Sequence, residues 1–328
     1  MDLLPTPEQD EIVTSVRSVL ADRHTLGEPL DDALWASAAE QGWFGLGVPE
    51  AQGGVGYSLV EEVLVFRELG RAGAPGPFLA TVLAAHLAAG AEGTDAAAAA
   101  AAILAGESRV ALVDRYDGEH LALLDGAHAT LAFVAGDAPR LVRTADLGTV
   151  VEISGLDVLV PVGLVRADVV AAAPSVAVAA DPQGIGRRAA LLTAAYLAGV
   201  AEAVTEQSVA YGKDREQFGQ PIGGFQAVKH RCADMATRAE VAVCEVFYAA
   251  LAERDGRPDA GFHVHAARAV AARAAVENSQ VNVQNHGGIG FTWEHTAHRY
   301  VTRARVLSNL WGSTADHLSA LLDQPAAG

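Results

Sequence analysis

Asp214-Arg215-Glu216-Gln217-Phe218-Gly219-Gln220-Pro221-Ile222, followed closely by Phe225-Gln226, is the stretch whose reading decides the fold. Gly219 and Pro221 stop a helix, while Ala, Leu and Val dominate from Arg187 to Tyr211 before the stretch and from Phe225 to Leu251 after it. The stretch therefore reads as the connection between two long helices. Gly256-Arg257-Pro258-Asp259 is a second turn, leading to a further long helix, so the C-terminal part is expected to be an antiparallel helical bundle.

Working outward, Thr6-Pro7-Glu8-Gln9 has the pattern of a capping box with proline at the first helical position, and Ile12, Val13, Val16, Val19 and Leu20 then recur at helical spacing. A second helix is expected from about Asp31 to Gln41, ending at Gly42. Val48-Pro49-Glu50-Ala51-Gln52-Gly53-Gly54-Val55-Gly56 cannot remain helical, and Ser58 then opens an apolar helix through Leu69. The alanine run from Ala96 to Ala102 reads as a packed helix capped by Thr94-Asp95. After Gly106 the texture changes to short runs such as Val110-Ala111-Leu112-Val113, Leu131-Ala132-Phe133-Val134 and Thr149-Val150-Val151-Glu152-Ile153, a β pattern broken by Asp, Gly and Pro. Helix returns near Asp181-Pro182. The expected architecture is mainly α with a small central β domain. Its parts are an N-terminal helical domain at 1–106, a reduced middle β-barrel or sheet at 107–182, and a C-terminal four-helix bundle at 183–328.

The 328 residues are 51% hydrophobic and 19% charged, enough for a large core, and the formal charge of −17 disfavours nucleic acid and anionic membrane as partners. Cys232 and Cys244 lie twelve residues apart in one helical segment, without disulfide or zinc spacing. No basic-then-apolar leader is visible at the start of the sequence, and a cytoplasmic location is expected.

Three segments carry a resemblance. Leu34-Trp35, then Gln41-Gly42-Trp43-Phe44-Gly45-Leu46-Gly47-Val48-Pro49-Glu50 and Gly53-Gly54-Val55-Gly56, are similar to the N-terminal helical domain of acyl-CoA dehydrogenases. Arg215 to Ile222 with Phe225-Gln226 and Ala233-Asp234-Met235 resembles that family's C-terminal helix-loop-helix. Gln284-Asn285-His286-Gly287-Gly288-Ile289-Gly290-Phe291-Thr292-Trp293-Glu294-His295 follows in family order and at family-like spacing. The resemblance implies oxidation of an acyl-CoA thioester at Cα–Cβ with FAD. It also implies that residues matching Arg215, Phe218, Gln226, Gln284 and Gly288 contact FAD held by a neighbouring subunit. The residue types suit that task. Arg215 is a permanent planar cation for a pyrophosphate, Gln217 and Gln226 offer hydrogen bonds, Phe218 packs on an adenosine, and His286-Gly287-Gly288 exposes N–H groups as an anion nest. His286, His295 and His298 lack an accompanying carboxylate or thiol set, so no metal is expected.

The chemistry needs a carboxylate to take the Cα proton. The two positions at which the resemblance places it are Trp311, in Leu310-Trp311-Gly312-Ser313-Thr314, and Ala189, beside Arg188; neither side chain is a base. The middle domain is short, with no tryptophan between Trp43 and Trp293. These departures resemble the base-lacking subunit of the α2β2 acyl-CoA dehydrogenases of actinobacterial steroid catabolism. Such a subunit implies a longer paralogous partner, a shared FAD and an electron-transfer flavoprotein. Two alternatives stay open. One is a self-sufficient homo-oligomeric flavoenzyme with a relocated base such as Glu202, Glu206 or Glu294; the other is a purely structural paralogue.

Overall fold

The computed structural model of the protein describes residues 4–325 and 327. Helices α1 (Pro7–Arg23), α2 (Asp32–Glu40), α3 (Leu59–Ala72), α4 (Phe78–Gly90) and α5 (Thr94–Leu104) precede strands β1 (Arg109–Arg115), β2 (His120–Leu124), β3 (Ala129–Val134), β4 (Arg140–Arg143), β5 (Val151–Ile153) and β6 (Val162–Arg166). Then come α6 (Ala167–Ala172), β7 (Ser175–Val178), α7 (Pro182–Asp214), β8 (Glu216–Gln217), β9 (Gln220–Pro221), α8 (Gln226–Arg254), α9 (Ala260–His286), α10 (Ala297–Leu307) and α11 (Thr314–Leu322). The chain divides into two compact units. One comprises Met1–Gly27, Val63–Ala74 and Ala190–Gly328; the other comprises Glu28–Glu62 and Pro75–Ala189.

In the second unit the seven strands form one mixed sheet in the order β5-β6-β2-β1-β3-β4-β7, with β1 and β3 parallel and the other neighbours antiparallel. It is an open sheet rather than a closed barrel, and its edge strands β5 and β7 carry exposed Val151 and Val178. Ala111, Val113, Leu123, Ala132, Val142 and Val165 fill the interior of one face together with Val170 of α6. Helix α4 packs against β1 and β3 and is apolar all round, which is why almost every side chain on it is buried and why it has little amphipathic signature. The tryptophans of the N-terminal motif belong to this unit's core. Trp35 lies 4.3 Å from Phe44 and 5.4 Å from Phe78 between ring centroids, and its indole N–H donates to the Gly106 carbonyl at 2.8 Å.

The Thr6 capping box is present in full, with the Thr6 hydroxyl accepting from the Gln9 N–H and the Gln9 side chain accepting from the Thr6 N–H. The cap of α5 differs from expectation. Gly93 is the N-cap residue and Thr94 is already helical, with no side-chain cap bond, because glycine reaches φ +108° where Thr cannot do so cheaply. The helix opened by Ser58 runs three residues further than expected, to Ala72. By length and composition α7 is apolar enough to cross a membrane, but 89% of its most apolar window is buried inside the protein.

The first unit is a helical bundle. α8 runs antiparallel to α9, as the contacts Asn278–Met235 and His263–Glu245 show, and α7 runs alongside α9. Many of the buried residues of α9 are alanines, which let the helices approach, and the gaps are bridged by a ladder of buried amides. Asn278 donates to the carbonyls of Ala201 and Met235 and to the Thr205 hydroxyl, Ser208 donates to Asn282, and Asn285 donates to Ser208. Such a ladder fixes one helix register, because any slip leaves buried amides unpaired. Two glycines set a second close approach. A Cβ on Gly70 would lie 1.9 Å from the Tyr196 carbonyl oxygen, and one on Gly199 would lie 2.0 Å from that of Arg67. Around this contact Arg67 holds Glu202 (2.5 Å), and Arg71 holds Glu206 (2.8 Å).

Candidate functional site

Helix α7 ends where the sequence loses its apolar period, and the Arg215 N–H closes the last turn on the Tyr211 carbonyl at 2.9 Å. Strands β8 and β9 then pair as a minimal hairpin, Gln217 opposite Gln220, with Phe218 and Gly219 as its two-residue loop. Both loop residues have positive φ, 54° and 80°, the backbone of a type I′ turn, where Asn and Gly are usual. For a phenylalanine this left-handed backbone costs about 1–2 kcal/mol. Its side chain gains little burial in return, being 92% exposed, with only an edge-on contact to Phe225 at 6.2 Å.

Arg215, Gln217 and Gln226 are exposed around the same hairpin. The Gln217 amide donates to the Glu216 carbonyl at 2.8 Å, whereas Arg215 makes no ion pair among the described residues. The second candidate segment lies at the same end of the bundle. Tyr211, in the last turn of α7, stacks on His286 at 4.3 Å and 27°, and His286 contacts His295 at 4.3 Å. The His286 Nδ1 pairs with the Asn282 carbonyl at 2.8 Å, so its imidazole belongs to the fold rather than to a metal site. Burial, and after it the neighbouring imidazoles of His286 and His298, push the His295 pKa down.

α9 stops at Gly287, whose φ 65° and ψ −141° form a conformation that L side chains rarely adopt. Nothing lies within 4 Å of a Cβ built on Gly287 or Gly288, so open space faces this turn, although the Gly287 N–H itself donates to the carbonyls of Gln284 and Val283. Gln284 is exposed on the last turn of α9, and Ile289, Phe291 and Trp293 follow, the last two 73% and 72% exposed. This end of the bundle thus presents a free guanidinium, three amide side chains, a glycine turn faced by open space and three projecting aromatic rings. These groups suit a dinucleotide: charge and an open glycine turn for pyrophosphate, amides for hydroxyls and ring edges, and Phe218 for stacking on a base.

The two base positions have no acid–base chemistry. Ala189 is fully buried, leaving no space at its methyl group. Trp311 is half-buried in left-handed backbone, φ 63°, ahead of Gly312 at φ 109° and the Ser313–Asp316 capping box. Below it lies Arg268, 0% exposed, whose Nη2 donates to the carbonyls of Leu307 and Leu310 at 2.8 and 3.0 Å. Burial lowers the Arg268 pKa to about 10. Sequence reasoning missed this arginine, because an Arg within an alanine-rich helix reads as a surface charge. Of the relocated-base candidates, Glu202 and Glu206 are engaged by Arg67 and Arg71, and Glu294 is exposed on the surface.

Among the buried carboxylates, Glu62 is the most enclosed, and the sequence reading passed over it. Glu62 is 1% exposed; it pairs with Arg188, meets His86 Nε2 at 2.6 Å and accepts from the Gly47 N–H at 3.1 Å. Burial by itself raises its pKa, but the Arg188 charge, then His86 and the Gly47 N–H, outweigh burial and hold it at about 2. A carboxylate so stabilised as an anion is a poor proton acceptor.

The sequence matches the acyl-CoA dehydrogenase C-terminal domain over residues 187–324 and the acyl-CoA dehydrogenase N-terminal domain over residues 6–100. The chain belongs to the acyl-CoA dehydrogenase family. Among its relatives, acyl-CoA dehydrogenase IpdE2 of Mycobacterium tuberculosis is 34% identical over 89% of this chain and 86% of its own length. Acyl-CoA dehydrogenase FadE34 of the same organism is also 34% identical, over 90% of this chain but only 42% of its own length, so this chain spans less than half of that relative. The fold is shared with the crystal structure of the ChsE4-ChsE5 complex from M. tuberculosis, at TM-score 0.85 and 24% identity, over 99% of this chain and 100% of the other.

Proposed function

We propose that this chain is the base-lacking subunit of a heteromeric, FAD-dependent acyl-CoA dehydrogenase and completes the flavin site of a longer paralogous chain. The observation that carries this reading is the pairing of Phe218, strained into an exposed position beside the free Arg215, with Trp311 and Ala189 at the two base positions. A chain that had lost the reaction altogether would have no use for that strain. The IpdE2 and FadE34 names and the ChsE4-ChsE5 complex support the family activity and a paralogous partner.

In this reading FAD supplies the hydride acceptor for the Cβ hydrogen of the thioester, while the partner supplies the carboxylate and the β-domain pocket. Arg215 neutralises the pyrophosphate with its planar guanidinium, and the side-chain-free Gly287–Gly288 turn lets the phosphates approach the backbone closely. Gln217, Gln226 and Gln284 orient the ribityl, ribose and adenine groups, and Phe218 covers the adenosine and excludes water from it. The open sheet, ending at β5 and β7, gives this chain no closed flavin barrel of its own. The partners are completed by a bulky acyl-CoA and an electron-transfer flavoprotein, in a cytoplasmic heterotetramer. The self-sufficient alternative loses ground to the ion pairs that occupy Glu202 and Glu206.

The test is to reconstitute the chain with its paralogous partner and measure bound flavin. Arg215→Ala is expected to lower FAD affinity of the complex tenfold or more, about 1.4 kcal/mol or above for a charge-assisted contact. Unchanged flavin content with Arg215→Ala would instead favour a purely structural paralogue.

A further inference from the structure

Near the hairpin, α7 and α8 part to leave a cleft of about 410 Å3. That volume falls within the roughly 300–1,000 Å3 of small-molecule pockets. Its walls are Val209, Val228, Pro221 and Cys232, and Lys213 and Lys229 also line it. Burial pushes the Cys232 thiol pKa up, so this sulfur adds apolar surface and no charge. Gly212 and Gly223 let the two backbones meet at one end of the cleft: a Cβ on Gly223 would come within 2.8 Å of the Gly212 carbonyl oxygen.

The two lysines are the decisive feature. The chain contains 21 arginines but only two lysines, and both line this one cleft. Neither ammonium forms an ion pair among the described residues, although the chain carries 40 carboxylates and a net charge of −17. No carboxylate is among the residues lining the cleft. Two unpaired, mobile point charges beside an apolar wall match one class of ligand, a hydrocarbon body with an anionic head, since lysine stems extend the apolar wall while their ammonium groups stay at the water boundary.

We propose that the cleft binds an amphiphilic carboxylate, its aliphatic tail against Val209, Val228, Pro221 and Cys232 and its carboxylate between Lys213 and Lys229. None of the lining residues is among the proposed flavin contacts, and the proposal holds whether or not the subunit role does. Each buried methylene strengthens binding about fourfold, so tail length is diagnostic.

Because only two side-chain amines exist, amine acetylation read by mass spectrometry reports on the cleft directly. Decanoate is expected to slow acetylation of Lys213 and Lys229 together by fivefold or more, and saturably. Hexanoate should require more than tenfold higher concentration for the same protection, and 1-decanol should protect neither residue. Calorimetric titration of Lys213→Gln and Lys229→Gln, both exposed positions, should show decanoate affinity lowered at least fivefold in each, with the melting temperature unchanged. Three results overturn the proposal: no saturable protection, protection by acetate or 1-decanol equal to that by decanoate, or shielding of both lysines by the partner subunit alone. The last would assign the cleft to a protein contact.

Discussion

Phe218 and Trp311 are both aromatic residues in left-handed backbone, φ 54° and 63°, within the same helical unit, yet their surroundings are opposite. The Trp311 turn is tied down from both sides: Arg268 grips the carbonyls of Leu307 and Leu310 ahead of it, and the Ser313–Asp316 box starts α11 behind it. Phe218 has no such support and stands almost wholly in solvent. The first strain is offset by contacts within the chain. The second has no such offset within the described residues, and it is the strain that the proposed contact with a neighbour's flavin would use.

The largest effect should come from removing the support under Trp311. Arg268→Ala deletes a fully buried side chain and two hydrogen bonds, and is expected to cost about 3–5 kcal/mol. Urea unfolding would show the lowered midpoint; a loss below 1 kcal/mol would mean that the turn holds itself.

Acid should weaken the same region next. Burial, then the charges of Arg268 and His265, hold the His317 pKa near 4, and His317 is the buried residue on which α11 docks. Folded His317 thus stays neutral while its unfolded counterpart protonates near pH 6.5. Its contribution is fully present above pH 6.5 and is lost as pH falls towards 4, in total about 3 kcal/mol. Melting curves between pH 7 and pH 4 should show that slope, and His317→Asn should flatten it. Glu62 acts lower still: its stabilisation is present above the ordinary carboxylate pKa and fades as pH falls through about 2.

The smallest effect on stability belongs to Phe218. Phe218→Gly relieves the left-handed strain but frees the unfolded chain, so the isolated protein should change by no more than about 1 kcal/mol, in the stabilising direction. In the reconstituted complex the same change should weaken flavin binding tenfold or more. A loss of stability in the isolated chain would erase the contrast between the two aromatic residues.

Local signals were legible in the sequence because they are short-range. The Thr6–Gln9 box, the Gly42 stop and the glycine-rich turns at 53–56 and 287–288 all appear where the residues place them. Helix α4 carried no amphipathic period, since it is buried on every side, and α6 is too short to register among the strands. Contacts that depend on distant segments were invisible. Arg67 meets Glu202 135 residues away, and Glu62 meets Arg188 across 126. For the candidate site, the segments and the residue types could be read, but not the exposed, strained state of Phe218, nor the Tyr211–His286 stack that brings the two segments to one end of the bundle.

The most direct test of the subunit role is the flavin content and acyl-CoA dehydrogenation of the purified chain, alone and after mixing with its paralogous partner. The prediction is that the chain alone has no stoichiometric FAD and no turnover, and that both appear in the mixture. Stoichiometric FAD with turnover by the chain alone would contradict it.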